Sequence, residues 1–508
     1  MGESYTARKK PPRSQFDRYE ILVRKYSNPV SRSKMSGEST RREFLKLSAS
    51  GLAAGAITDT APRWGPLAAA SAGDISVRVT DQSGRFMELP KIAWRQISSR
   101  PTGEIITLDP EKRFQEILGF GAAFTEASCY MFNQLSQDAR EQLFQELFSD
   151  LGLNVCRTCI GASDYSTEVY SFDDGSPDPE LKKFSIDHDR AYVLPMLRQA
   201  RKTNPDLFLF STPWSPPGWM KPNGSMLGGC IEKKHFPSYA QYFVKFLRAY
   251  EAEGVSIQAL TPQNEVDTEQ DGRLPACLWG QEYEIEFVRD HLGPALRTEG
   301  LATKIWLLDH NYNLWGRAIC ELDDAKLRQY ANAIAWHGYA GNVSMVSKVH
   351  DAHPDADMHW TEGGPDYTNP DYATDWAKWA RTFTGALRNW CCSVTGWNLA
   401  LDERGRPNIG PFPCGGLVTI HSKTKEISRS GQYWAFAHFS RSIRRGARRF
   451  DSQGALENVD HVACENPDGQ KVLTITNTST ARPLVLKMSD LMAELTVTPD
   501  SVTTLTWK

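Results

Sequence analysis

Eight short apolar runs, separated by long amphipathic stretches, are what most constrain how residues 115–408 of this chain can fold. The runs are Ile117 to Phe124, Val155 to Ile160, Leu207 to Ser211, Ser256 to Thr261, Lys304 to Leu308, Ala333 to His337, Met358 to Glu362 and Val394 to Leu399. Each has the length and the β-branched or aromatic content of a strand. The stretches between them, such as Tyr239 to Ala252 and Gln281 to Leu296, place apolar residues three and four apart, as a helix with one buried face does. Strands that alternate with helices predict a parallel sheet, because a parallel neighbour is reached only by a crossover. Eight such units predict an α/β fold of the (β/α)8 TIM-barrel type, placed at residues 113–416.

The flanks have a different texture. Ile75 to Thr80 and Glu104 to Leu108 alternate with period two, as do Val472 to Thr476, Leu484 to Leu486, Leu495 to Val497 and Val502 to Trp507, with a turn signal at Asn466-Pro467-Asp468-Gly469. The amino-terminal strands have no sheet of their own. We therefore expect residues 73–112 to join residues 417–508 in one β-sandwich built from both chain ends.

Two carboxylates stand at strand ends. Glu265 follows the fourth run, where Pro262 forbids a central strand or a direct turn into a helix, and Glu362 ends the seventh. Active sites of such barrels lie at the C-terminal ends of the strands, so both glutamates point at one opening. Cleavage of a glycosidic bond needs two carboxyl groups across a sugar, one to give a proton and one to attack or to activate water. The residues alone do not say which does which. Asn264, directly before Glu265, is suited to a sugar 2-hydroxyl.

Composition excludes other chemistries. The 61 acidic and 58 basic residues leave no field for nucleic acid. No H-E-x-x-H or comparable cluster appears, so neither a metal nor another cofactor is expected. The ten cysteines are too sparse for a disulfide framework, and Cys156 and Cys159 read as core residues. Arg441, Arg444, Arg445, Arg448 and Arg449 read as a solvated face. No sequence signal speaks to oligomeric state.

From about Gln115 onward the chain resembles glycoside hydrolase family 30, in its glucosylceramidase-like branch. The similarity rests on Gly119-Phe120-Gly121-Ala122-Ala123-Phe124-Thr125-Glu126-Ala127, on Arg157 with Ile160 to Ser166, on Ser211 to Lys221, on Cys277-Leu278, Phe287, Arg289-Asp290 and Leu292-Gly293-Pro294, and on Gly396 to Leu401. The resemblance implies a retaining β-glycosidase acting on a β-glucoside such as glucosylceramide, with Glu265 as acid/base and Glu362 as nucleophile. It also implies that Asp164, Trp214, Trp397 and Asn408 hold the glycone and that Tyr339 lies near the nucleophile. Arg157 would keep Glu362 ionised, unless it is only a structural ion-pair partner. His337 reads first as a hydrogen-bonded core histidine, ahead of a proton shuttle or substrate contact. The acid should have a raised pKa.

Val266 stands where the family usually has Pro, Gly338 where the animal enzymes have Trp, and the loop Asp267 to Pro275 has its own composition. These departures border the leaving-group side and bring in an endo-β-1,6-glucanase or other family 30 glycan hydrolase as the alternative specificity. A non-catalytic glycan-binding protein is the alternative of a different class; such a protein would need no paired carboxylates.

Residues 1–34 carry nine Lys or Arg and read as a disordered or mis-started extension, with Met35 beginning a tidier protein. Residues 35–72 read as a twin-arginine signal peptide: Arg41-Arg42, the mildly apolar Leu47 to Ile57, then the small residues Ala68 to Ala72. No later stretch is apolar enough to span a membrane, so a periplasmic or secreted protein is expected. Replacing Arg41 and Arg42 by Lys should leave folded protein in the cytoplasm. Cell fractionation checks this, and unimpaired export of the double-Lys chain in a host with a working twin-arginine system would sink it.

Overall fold

The computed structural model describes residues 73–98, 101–268 and 272–508. The extension and signal-peptide assignments of 1–72 lie outside the described residues. Strands β1 (Asp74–Asp81), β2 (Gly84–Ala93), β3 (Arg95–Gln96) and β4 (Glu104–Glu116) come first. The barrel follows: β5 (Gly119–Phe124), β6 (Val155–Cys159), β7 (Phe208–Thr212), β8 (Ala259–Leu260), β9 (Lys304–Asn311), β10 (Ala331–His337), β11 (Asp357–Glu362) and β12 (Cys391–Asn398). Every neighbouring pair is parallel, and β12 closes on β5 through Ser393 opposite Gly119. All eight expected strands form, in sequence order around a closed barrel.

One run is much shorter than its alternation suggests. Val255 to Gln258 leave the ladder because the Gln258 side chain takes a backbone role: the Leu209 N–H donates to Gln258 Oε1 at 2.7 Å while the Gln258 N–H donates to Leu209 O at 2.8 Å. Only Ala259 and Leu260 pair as strand.

Side-chain parity sets the barrel's layers. Val155, Phe210, Ala259, Trp306, Ala333 and Ala335 form a small apolar cluster of their own, with Trp306 stacked on His359 at 3.8 Å. Two residues further along β6, β7, β10 and β11, and just past the end of β8, the inward positions become Arg157, Thr212, His337, Thr361 and Thr261, all fully buried. The lower interior is therefore an apolar plug and the upper interior a polar floor.

Short strands β13 (Ala400–Leu401), β14 (Val418–Ile420) and β15 (Ile427–Arg429) precede the helix Gly431–Ser440. That helix lies beyond the expected barrel boundary at residue 416. Gly431 to Gln432 and Tyr433, then Ala435 to Ser440, are buried, so it has no polar face and no helical period to read. Its His438 is neutral, with burial pushing its pKa down to about 3, and bridges Thr504 and Thr80 at 2.9 and 2.8 Å.

The sandwich strands β16 (Arg448–Gln453), β17 (Val459–Glu465), β18 (Lys471–Asn477), β19 (Arg482–Met488), β20 (Leu491–Val497) and β21 (Ser501–Trp507) join the amino-terminal ones in a ten-stranded sheet. β1 pairs antiparallel with β21, and β4 lies between β16 and β19. The two chain ends thus form one unit, with Ile75, Val77, Trp94, Ile106 and Leu108 sharing a core with Leu473, Leu486, Leu505 and Trp507.

The arginine run is a solvated face only in part: Arg441, Arg444 and Arg448 are exposed, whereas Arg445 is half-buried and Arg449 buried. Arg445 donates to Leu118 O and Asn154 O below the barrel, Arg441 to Asp150 O, Arg448 pairs with Glu116, and Arg449 is buried with its guanidinium 3.7 Å from the Phe114 ring centre. Charge count misled for Arg445 and Arg449, whose head groups find acceptors at the seam between barrel and sandwich.

A chain ending at Asp500 lacks β21, which buries Val502, Leu505 and Trp507. Burying such side chains is worth about 1.5–3 kcal/mol each, so the loss approaches the whole stability of an ordinary domain. This chain should aggregate or melt without cooperativity. A soluble protein with a single sharp thermal transition would show that the ends are independent.

Candidate active site

Arg157, at the inward position of β6, is completely buried and organises the opening. Its Nη1 donates to Glu362 Oε2 at 2.5 Å, and its Nη2 donates to Asp309 Oδ2 at 2.6 Å and to Asn264 Oδ1 at 2.9 Å. It is both the structural partner and the neighbour of the second carboxylate. Glu362 has the wrong parity to point inward after Thr361. A register shift between Trp336 and His337 pairs His337 with Glu362, so that both Thr361 and Glu362 reach the opening. Tyr339 Oη donates to Glu362 Oε1 at 3.0 Å, which fixes the other carboxylate oxygen.

His337 sits between two carboxylates, Nδ1 3.3 Å from Glu265 Oε1 and Nε2 3.0 Å from Asp309 Oδ1. Glu265 Oε2 accepts from Thr268 Oγ1 at 2.9 Å. Trp214 and Trp397 stack on each other with ring centres 5.1 Å apart, and the Arg157 guanidinium lies 4.7 and 5.5 Å from the two rings. They are nearly buried and form a wall behind the arginine. Asp164 is placed by its backbone, its carbonyl accepting from Ile409 and Gly410. Asn408 is not brought to the carboxylates by its side chain: Nδ2 donates to Phe412 O at 2.7 Å and Oδ1 accepts from Gly410 N at 2.6 Å. Its amide holds the loop that seats Asp164.

Asp309 and His310 were not anticipated. Asp309 accepts from Arg157, Thr212, Thr261 and Thr361 and faces His337, the most connected carboxylate of the site. The signal in the sequence is a polar Asp309-His310 pair directly after the apolar run Lys304 to Leu308. His310 Nε2 lies 2.5 Å from Asp267 Oδ1.

The electrostatics of the substrate-free site run against the simple expectation for an acid. Burial alone would raise Glu265, but the hydrogen bond from His337 and the charges of His310 and His337 hold it down at about 2. Burial lowers His337, yet the charge of Glu362 and the hydrogen bonds to Asp309 and Glu265 carry it up to about 9. Glu362 lies above the ordinary range because burial outweighs His337 and Arg157. Burial and the charges of Glu362 and Glu265 push Asp164 well up, whereas Arg157 and His337 overcome burial to hold Asp309 well below the carboxylate range.

Removing one partner of a buried ion network costs more than the network is worth, because it strands a charge; about 3–5 kcal/mol is usual. Arg157→Ala leaves Asp309 and Glu362 without their shared cation, whereas Asp309→Asn leaves Arg157 still paired to Glu362. Urea unfolding should show Arg157→Ala as the more destabilised. An equal or smaller loss for Arg157→Ala would contradict its central place.

The barrel model of glycosyl hydrolase family 30 matches residues 117–443, and the family's β-sandwich model matches residues 446–505. An endo-1,6-β-D-glucanase of Neurospora crassa is 34% identical over 396 residues, covering 73% of this chain and 81% of that protein. The lysosomal acid glucosylceramidase of Mus musculus is 29% identical over 471 residues, covering 87% of this chain and 91% of that protein. Among solved structures, the endo-β1,6-glucanase BT3312 superposes with a TM-score of 0.77 at 29% identity, covering 86% of this chain and 99% of that one. With both family models matched in order and the paired carboxylates at one barrel opening, this chain belongs to glycosyl hydrolase family 30, whose members hydrolyse glycosidic bonds.

Proposed function

We propose that the chain is an exported, retaining endo-β-1,6-glucanase in which Glu362 attacks the anomeric carbon and Glu265 serves as acid and then base. The observation that supports the specificity is the 34% identity to an endo-1,6-β-glucanase, against 29–32% to glucosylceramidases, together with the likeness to the solved endo-β1,6-glucanase. The rim of the site supports it. Gly338 has no side chain, and a Cβ there would meet the Trp360 ring at 2.7 Å, so no apolar wall can be built at that position without moving Trp360. Tyr339 beside it is 41% exposed and offers an aromatic face to a sugar chain. Glucosylceramide hydrolysis is the reading this displaces.

The chemistry follows from the contacts. Arg157 and Tyr339 each bind one oxygen of Glu362 and fix its orientation for attack. The departing oxygen needs a proton from Glu265, and the substrate-free site stores that proton on His337, 3.3 Å away. A sugar that expels water penalises the charged His337–Glu265 pair, which favours the neutral arrangement with the proton on Glu265. Asn264, held by Arg157, presents its amide nitrogen to the sugar. Export rests on Arg41-Arg42 and the segments that follow them.

On β-1,6-glucan the enzyme should release oligomers of mixed length, with a kcat/KM at least tenfold above that on glucosylceramide. Glu362→Gln should be inactive on every substrate. Glu265→Ala should lose about 10²–10⁴-fold on β-1,6-glucan, keep the first step on substrates with activated leaving groups, and be rescued by azide with a β-glycosyl azide as product. Glucose release from glucosylceramide alone would overturn the specificity. An α-glycosyl azide, or rescue of Glu362→Gln, would overturn the roles.

A further inference from the structure

Glu265 faces a second histidine whose placement the glycosidase chemistry leaves unused. His310 is nine-tenths buried, and its Nδ1 has no hydrogen-bond partner among the described residues. That atom points toward Glu265 Oε1 at 3.9 Å, and His337 Nδ1 approaches the same oxygen at 3.3 Å. The three atoms lie within 4.8 Å of one another. Each imidazole is oriented from behind by a carboxylate: Asp267 on His310 Nε2 at 2.5 Å and Asp309 on His337 Nε2 at 3.0 Å. A carboxylate on the far ring nitrogen is how metal-ligating histidines are fixed in tautomer and direction. With Asp267 on Nε2, the other ring nitrogen of His310 faces a carboxylate oxygen across 3.9 Å, a gap that a cation can fill. A proton on His337 relieves one side of the triangle; an ion at its centre relieves all three.

We propose that Glu265, His310 and His337 form a binding site for a divalent transition-metal ion of the zinc class, and that the bound ion blocks the enzyme by occupying its acid/base. Two imidazole nitrogens and one carboxylate oxygen suit zinc and its neighbours rather than magnesium or calcium, which prefer oxygen ligands. Zinc–ligand bonds of about 2.0–2.1 Å in a tetrahedron place ligand atoms about 3.4 Å apart. The Glu265–His337 edge already has that length, and the edges to His310 need a small inward rotation of its ring. The fourth position is left to solvent or sugar. The Glu265 side chain is 20% exposed, so an ion can enter from the cleft. The three ligands come from the ends of three different barrel strands or the loop just after one, which is why no sequence motif announces them.

Direct binding tests this apart from the glycosidase reading, since it needs no substrate. The full chain carrying Cys320→Ser, which removes the exposed thiol, is titrated with Zn²⁺ by calorimetry. One ion per chain is expected, with a raised melting temperature on binding and no comparable response to Mg²⁺. His310→Ala in that background should bind Zn²⁺ at least tenfold more weakly and lose the shift in melting temperature. Asp267→Asn, at a half-exposed position, should fold normally and weaken binding about tenfold through the loss of orientation; it decides the matter if His310→Ala does not fold. Activity should fall with Zn²⁺ occupancy and return with a chelator. No Zn²⁺ binding by the parent chain, or unchanged affinity in both variants, overturns the proposal.

Discussion

The structure of the opening depends on one buried cation. Arg157 has no exposed atom to hydrate, so its charge must be met inside the barrel, and Glu362, Asp309 and Asn264 meet it. A buried ion network is poor evidence of stability, because desolvation offsets most of the Coulomb gain. Its use is geometric. A planar guanidinium binds partners only in its own plane and at fixed angles, so the ends of strands β6, β8, β9 and β11 are brought to common coordinates. Trp214 and Trp397 behind it remove the space into which the side chain would otherwise turn.

Those coordinates are reached at a conformational cost located at the strand ends. Glu265, Leu308 and Asp309 all have left-handed φ angles, at 47°, 72° and 47°. Non-glycine residues in that region cost on the order of 1 kcal/mol or more each, and persist where surrounding contacts determine them. The Asp309 carbonyl accepts the Glu265 N–H at 3.0 Å, so two of the three strained residues hold each other. The register shift that brings Glu362 inward serves the same end by a different backbone device.

The barrel was legible because its signal is periodic and repeated: eight apolar runs of strand length, each followed by a helix, survive an error at any one of them. What was not legible follows from features that break period. The helix Gly431–Ser440 is covered on every side and so shows no amphipathic stripe. The arginines at the sandwich seam look like surface charge until the carbonyls of Leu118, Asn154 and Asp150 are seen to receive them. Glu265 and Glu362 stood out because acids at strand ends have a known use, and the structure brings Glu362 to Arg157 and Glu265 to His337. Asp309 did not, since its value lies entirely in partners from four other strands. Asn408 is a case where resemblance pointed to the right loop and the hydrogen bonds gave the side chain a different task there.

The charge balance of the opening connects these parts. With Arg157 and His337 cationic, two positive groups face three carboxylates, Glu265, Asp309 and Glu362, while burial and its acidic neighbours favour the neutral form of Asp164. Three carboxylates are therefore packed around Arg157 and His337 in a poorly solvated floor. Glycosidic cleavage passes through a sugar with oxocarbenium character, positive at the anomeric carbon. Fixed negative groups that are already in place when that charge develops need no reorganisation to stabilise it. Holding them together in the resting enzyme is the difficulty, and the histidine between Glu265 and Asp309 reduces it by keeping a proton where both can use it. A small cation would be drawn to the Glu265 corner because Glu265 is the one carboxylate of the three that Arg157 does not reach.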